Sequence, residues 1–317
     1  MSTLTADKTA HPAPGGTPRR RHPHPRRRHP HPPRRPRTGG RILASKAAVN
    51  GLLALIALYT LMPLTWLLFA ATKNNADLFG KPGFTLGDFN LFANLGDLFT
   101  YNDGIFGRWL LNSFVYSVLG SLASTLLSLG AGYAFDKYDF RGKEKLYGFI
   151  LLGLLVPATV ISLPMYLLAS KAGIVNSYWA ILIPGLVSPF GVYLSRIFSE
   201  GYVPGETLEA ARMDGAGELR IFGSVALPML APAFVTVFLF SFTGSWNSFF
   251  LPLVMLNDHE LYPVGLGLFN WNATLTQYPE QYALLITGSL VSVLPLAVAF
   301  LCLQRFWRSG LTAGAVK

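Results

Sequence analysis

The sequence predicts an all-α membrane protein, with six transmembrane helices and a cytoplasmic helix-turn-helix loop between the fourth and the fifth. Three observations lead there. The 317 residues are 51% hydrophobic and only 13% charged, whereas an ordinary soluble domain is roughly 25% charged. Runs without Asp, Glu, Lys, Arg or His occupy 47-72, 109-135, 146-170, 172-195, 221-257 and 281-304, each longer than the roughly 20 residues that cross a bilayer as a helix. Lysine and arginine alternate between rich and poor in the intervening loops. The runs are continuously apolar rather than alternating at every second residue, which excludes an outer-membrane barrel.

The N-terminal segment 1-41 stands apart. It contains eleven Lys and Arg, one acid (Asp7), nine prolines and five of the six histidines, and includes "RRRHPHPRRRHPHPPRRPR" at 19-37. With almost nothing apolar to bury, it is predicted to be a disordered, cytoplasmic basic tail. It carries the whole formal charge of +10, because residues 42-317 hold fifteen basic and fifteen acidic side chains. Two readings of it stay open: contact with anionic membrane lipids, worth about 1 kcal/mol per basic residue near the surface, or a solvated extension without a role. Nucleic-acid binding is disfavoured, since the tail lacks the aromatic residues on which single strands stack.

Residues 42-317 are predicted to form the transmembrane domain. The first span, 47-72, is longer than the 7-15 apolar residues of a cleaved export signal and reads as an uncleaved anchor. The second span is 109-135; the third and fourth, 146-170 and 172-195, contain Pro157, Pro164, Pro184 and Pro189. Neighbouring helices can re-satisfy the backbone groups that such prolines free, so these are either ordinary kinks or a flexible gate. The fifth span falls within its longer window at about 230-252, and the sixth is 281-304. The segment before residue 47 has twelve Lys and Arg, the 136-145 loop four, the 196-220 loop three and the C-terminal end three. The alternate segments have three (73-108), one (Lys171) and none (257-280). The positive-inside rule then sets both termini in the cytoplasm of a multi-pass protein.

Several chemistries are missing. No ionisable residue lies within the six runs, although proton-coupled carriers and membrane-embedded enzymes need such groups there. No "GxxxxGK[ST]" occurs, so the chain has no phosphate loop for ATP. Cys302 has no partner for a disulfide or a zinc-type site. No catalytic and no metal-ligating residues are therefore assigned, and no cofactor belongs to this chain. "NDG" at 102-104 is turn chemistry. A pore or carrier subunit energised from elsewhere is what remains. Its spans hold mild polar groups: Asn112, Ser113, Ser162, Tyr166 and "SFTGSWNSFF" at 241-250. Hydroxyls, amides and aromatic faces suit an uncharged polyhydroxylated solute, and Trp246, Asn247 and Tyr166 are the candidate pathway residues. The alternative is that such residues only glue helices together.

The loop at about 196-222 is the most polar part of the domain. Pro204 suits the first turn of a helix, Glu206 and Glu209 lie near its positive end, and Asp214-Gly215 stops it where a left-handed residue is needed. A second short helix from about Glu218 would lead through Pro228 into the fifth span. Ala210 and Ala211 are too small to hold another surface away, so the first helix is either an interface or an amphipathic connector.

The residues Glu209, Ala210, Ala211, Gly215, Val225, Leu227 and Pro228 have the spacing Glu-Ala-Ala, three residues, Gly, nine residues, an aliphatic, one residue, Leu-Pro. This resembles the signature loop of bacterial ABC importer permeases, with Val225 in place of the commoner Ile. A chance match at any one start is on the order of 10⁻⁷ from average residue usage. The stretch 132-184, "GVYLSRIFSEGYVPGETLEAARMDGAGE" at 191-218 and "SWNSFFLPLVML" at 245-256 are similar to the carbohydrate-uptake, maltose-type permeases. These are the inner-membrane components of binding-protein-dependent transport. The resemblance covers about 47-317 and leaves out the tail. It implies a bacterial cell-membrane permease for a sugar or oligosaccharide that pairs with a sister permease. It further implies ABC ATPase subunits, which bind ATP and Mg, and an extracytoplasmic solute-binding protein. In that family pattern, Glu209, Ala210, Ala211, Asp214, Gly215, Leu227 and Pro228 make the ATPase-coupling loop. Another solute such as glycerol phosphate or a polyol is the rival within the class, and a non-transporting membrane scaffold is the rival outside it.

Overall fold

The structure is a computed structural model that describes residues 39–313, with side chains from 45 to 304. The basic tail predicted over 1-41 falls, up to residue 38, outside the described residues. The chain divides into two units, Met1–Ile56 and Ala57–Lys317. In the first, every side chain described, from 45 to 56, is exposed.

The described chain is helical throughout, without strands. Helix α1 runs Gly39–Ala71, and a short α2 covers Asn75–Gly80. Helix α3 (Leu91–Phe114) passes through a π-helical turn at Val115–Leu119 into α4 (Gly120–Lys137). Then come α5 (Lys143–Leu152), α6 (Ala158–Lys171), α7 (Tyr178–Gly185) and α8 (Pro189–Tyr202). The pair α9 (Gly205–Met213) and α10 (Glu218–Ile221) leads through a second π turn, Phe222–Ala226, into α11 (Leu227–Met229) and α12 (Ala231–Trp246). Helices α13 (Phe250–Met255), α14 (Val264–Thr274) and α15 (Gln281–Ala313) complete the order.

Four stretches among the described residues are long and apolar enough to cross a membrane: Ser45–Ala71, Leu91–Lys137, Tyr178–Tyr202 and Gln281–Gln304. Two further pairs qualify only jointly, Lys143–Leu155 with Ala158–Lys171, bent by 108°, and Glu218–Met229 with Ala231–Trp246, bent by 80°. The total is six if each bent pair counts once. The apolar run at 146-170 is thus not one helix. Val156 precedes a proline and is extended (φ −88°, ψ 120°), as the clash with the proline ring requires, and Pro157 then caps the start of α6. The run at 172-195 also starts late, because Gly173 (φ +69°) and Asn176 (φ +58°) turn the chain before Tyr178. The "NDG" turn interrupts α3, with Asn102, Asp103 and Gly104 all in left-handed conformation, a region that Asn, Asp and Gly tolerate best.

The most extensive helix contact among the described residues is α4 on α8. Ser121, Ser124, Thr125 and Ser128 on α4 and Ser195 and Ser199 on α8 are all at most 1% exposed. A Cβ on Gly132 would come within 2.5 Å of the Ser195 Cβ, so only glycine permits this approach, the small-residue packing typical of membrane helices. Large apolar side chains such as Leu58, Leu155 and Val187 are about three-quarters exposed (75%, 77% and 75%). That exposure suits a surface facing lipid or another membrane helix rather than water.

Candidate functional site

The loop between α8 and α12 has the helix-turn-helix form that its sequence spells, although α8 runs on to Tyr202, inside the predicted loop of 196-222. Pro204 is extended at the cap and Glu206 sits in the first turn of α9, where the helix dipole favours an acid. Leu208 turns inward to a cluster with Leu129, Tyr133, Val203, Ile221 and Leu230. The helix ends at Gly215 with φ +80°. There the Ala216 amide reaches back to the Ala211 carbonyl at 3.0 Å, a Schellman-type closure. Arg212 grips Glu218 at 2.7 Å, and the Tyr138 hydroxyl donates to the same carboxylate at 2.5 Å.

The predicted loop residues divide between two faces. Glu209, Ala210, Asp214, Gly215 and Pro228 are exposed, while Ala211, Val225 and Leu227 are half-buried against the cluster. At the tip, Met213 is 88% and Leu219 is 89% exposed. Two bare apolar side chains on the same helix pair as the exposed Glu209 make a surface suited to a protein partner.

Of the candidate pathway residues, Trp246 and Asn247 are consecutive at the end of α12 and Tyr166 lies in a separate cluster. Trp246 is a core side chain, 5% exposed; its indole N–H donates to the Ser292 carbonyl at 3.2 Å and its ring stacks on Phe242. A buried indole needs an acceptor, and α15 supplies it. Tyr166 packs half-buried in a different cluster, beside Tyr116, Ala169 and Ala180. Asn247 is exposed and donates to the Thr243 carbonyl at 2.9 Å.

The neighbours of Trp246 do border a cavity. A space of about 390 Å³ opens between α4, α7, α8 and α12, with Ser121 and Ser124 on one wall and Ser241, Gly244, Ser245 and Ser248 on the other. The last four have i, i+3, i+4, i+7 spacing, the period of one helical face, and that period was the available sequence signal, although Ser248 lies beyond the end of α12. Nothing in the sequence distinguished Ser121 and Ser124 from serines that merely pack helices.

At the far end of α12 lies the loop 257–264, which one face of α3 and its π turn holds. Trp109 Nε1 donates to the His259 carbonyl at 2.7 Å, Asn112 Nδ2 to those of Glu260 and Tyr262 at 2.7 and 3.0 Å, and the Tyr116 hydroxyl to that of Leu261 at 2.9 Å. Ser113 Oγ accepts from the Val264 amide at 2.7 Å. Asn176 Oδ1 accepts the amides of Asn257 and Asp258, both at 2.9 Å.

A family model described as binding-protein-dependent transport system inner membrane component matches residues 124–309. The chain belongs to this family. As a transport component it is 33% identical over 267 residues to the arabinooligosaccharides transport system permease protein AraQ of Halalkalibacterium halodurans, covering 83% of this chain and 94% of that one. The lactose transport system permease protein LacG of Rhizobium radiobacter is 28% identical over 266 residues, 84% of this chain and 94% of the relative. Among solved structures, the crystal structure of a bacterial ABC transporter involved in the import of the acidic polysaccharide alginate matches with a TM-score of 0.73 at 25% identity. That match covers 85% of this chain and 98% of the other. The permease family match includes α9 to α12 and most of α4, so the helix pair and both serine walls lie in the family's shared region, except Ser121.

Proposed function

We propose that this chain is one of two permease subunits of an ATP-driven bacterial importer for a neutral sugar or oligosaccharide. ATP and Mg are bound by separate ATPase subunits, and an extracytoplasmic binding protein delivers the solute. The observation that carries the coupling role is the tip of the α9–α10 pair. Glu209 and Ala210 of the Glu-Ala-Ala motif are exposed beside bare Met213 and Leu219, on a helix whose other face is anchored through Leu208. In this reading the pair lies on the cytoplasmic side, with both termini, as the lysine and arginine distribution favours. ATP draws the ATPase subunits together and favours one of two permease states by binding it better; the docked α9 transmits that bias to α8 and α12.

The sugar class is supported by relatives named for arabinooligosaccharides and lactose transport. Glycerol phosphate is less well supported, because a phosphate calls for a cation and the serine-walled cavity has no charged side chain. The exposed apolar faces suit lipid and a sister permease.

The test is mild-detergent purification of the tagged chain, identification of co-purifying subunits, and ATP hydrolysis with and without sugar-loaded binding protein. Recovery of a sister permease and an ATPase, with hydrolysis stimulated by loaded binding protein, is the expected result. A chain that purifies alone despite co-expressed partners would instead be a membrane scaffold.

A further inference from the structure

We infer that Tyr138 and Glu218 form the joint through which movement of the α9–α10 pair reaches α4, with Arg212 positioning the Glu218 carboxylate. The inference rests on the importer reading and names the residues by which a docked pair moves a helix that the chain does not join to it.

The backbone links the pair directly to two helices. Only Val203 and Pro204 separate α8 from α9, and α10 runs through the π turn Phe222–Ala226 and α11 into α12. A displacement of α9 is therefore passed along the chain to α8 and α12. Helix α4 has no such link, since Tyr138 and Glu218 are 80 residues apart. Whatever α4 receives has to cross side-chain contacts.

Those contacts are of two kinds. Leu208 and Ile221 of the pair share a buried cluster with Leu129 and Tyr133 of α4, and the Phe222 ring lies 5.2 Å from that of Tyr133. Apolar burial is non-directional, so this packing holds the pair close to α4 without fixing its angle. A hydrogen bond is directional. The Tyr138 hydroxyl, at the C-terminal cap of α4, donates to Glu218 Oε2 at 2.5 Å, and Glu218 is the first residue of α10. Arg212, in the last turn of α9, reaches both oxygens of the same carboxylate at 2.7 and 3.3 Å, a fork that fixes its plane. The guanidinium first, then the phenol, hold the Glu218 carboxyl below the usual carboxylate range. The acceptor is thus ionised at neutral pH and the bond from Tyr138 is charge-assisted.

One carboxylate thereby joins α4, α9 and α10 at a single point. The two charged side chains are largely exposed (40% and 49%), so the clamp adds little to stability; what it sets is an angle. With the joint made, α4, α8 and α12 turn together. Without it, α8 and α12 tilt across α4 and ATP is hydrolysed without delivery.

The experiment uses the complete complex in proteoliposomes with its binding protein, and radiolabelled lactose, arabinotriose and maltotriose as probes. The readouts are sugar delivered per ATP hydrolysed and the amount of assembled complex. Tyr138→Phe, which keeps the ring and removes the donor, is expected to lower the ratio about three- to tenfold, the scale of one hydrogen bond, at wild-type assembly. Glu218→Ala should lower it at least as far, and Glu218→Gln, which keeps an oxygen for the phenol, should fall between Glu218→Ala and wild type. The double variant Tyr138→Phe with Glu218→Ala should lose no more than Glu218→Ala alone, because both changes break one bond. Asp139→Asn, in the same loop, whose carboxylate pairs with Lys143 at 3.2 Å, is the control at the wild-type ratio. If Glu218→Ala fails to assemble, Tyr138→Phe and Glu218→Gln decide. Wild-type ratios in the joint variants, or losses that multiply in the double variant, overturn the joint while the importer reading stands. A fall in delivery matched by an equal fall in assembled complex, at an unchanged ratio, makes the contact structural only and also overturns it. A wild-type complex that moves none of the probes, and whose hydrolysis no loaded binding protein stimulates, overturns the importer reading and the joint with it.

Discussion

The two segments flanking α12 are built on opposite plans. Beyond its end, the loop 257–264 is tied by hydrogen bonds from Trp109, Asn112, Tyr116 and Asn176, so its shape is fixed by this chain alone. Before its start, the α9–α10 pair is anchored on one side through Leu208 and leaves Met213 and Leu219 bare on the other. A polar tether fixes many backbone atoms in place; an apolar anchor fixes an element as a body and leaves its outer face for a partner. The first plan yields a preformed surface and the second, in the function proposed above, a lever.

The comparison can be broken most severely at the lever. Gly215→Pro forbids the positive φ on which the α9 terminus closes, and Glu209→Lys reverses the exposed charge. Both should reduce sugar uptake about 100-fold or more, with membrane levels unchanged on immunoblots, since coupling is all-or-none when the docked element is lost. Wild-type uptake in both would remove α9 from the coupling path. Leu208→Ala should come next. It empties a buried site and should cost about 2–5 kcal/mol, read as a lowered unfolding midpoint in detergent; an unshifted midpoint would mean that the anchor lies elsewhere.

Asn112→Ala tests the tether. It leaves the carbonyls of Glu260 and Tyr262 unpaired, at about 1–3 kcal/mol, and should speed amide exchange across 257–264 without changing it across 205–219. Equal change in both segments would show that they are not independent. The smallest effect belongs to the Arg212–Glu218 pair, in which both side chains are largely exposed (40% and 49%). Arg212→Ala should move the unfolding midpoint by no more than about 2 °C, measured in the same assay as Leu208→Ala.

The lever was far more legible in the sequence than the tether. Pro204, Asp214-Gly215 and Glu218 are local signals, and each marks an end that the backbone obeys to within a residue. The tether is written in Trp109, Asn112, Ser113 and Tyr116, one helical face, but its target lies about 150 residues away, and no spacing rule connects the two. Apolar runs located the candidate spans without their direction. Hydropathy sums residues and is blind to a reversal, so 146-170 read as one helix where Val156-Pro157 turns the chain. Trp246 stood out in the sequence by its polar neighbourhood; its burial and its bond to the Ser292 carbonyl, set by α15, could not be read from that neighbourhood.

The sharp bend before Pro157 also bears on how the protein is made. Lys143–Leu155 and Ala158–Lys171 are each roughly 20 Å long at 1.5 Å per residue, too short to cover a hydrocarbon core of about 30 Å. Neither half can be handed to the bilayer as a finished unit while the ribosome is still completing the other. The two halves therefore count toward a crossing only as a pair, so whatever commits the first half to the bilayer has to act on both.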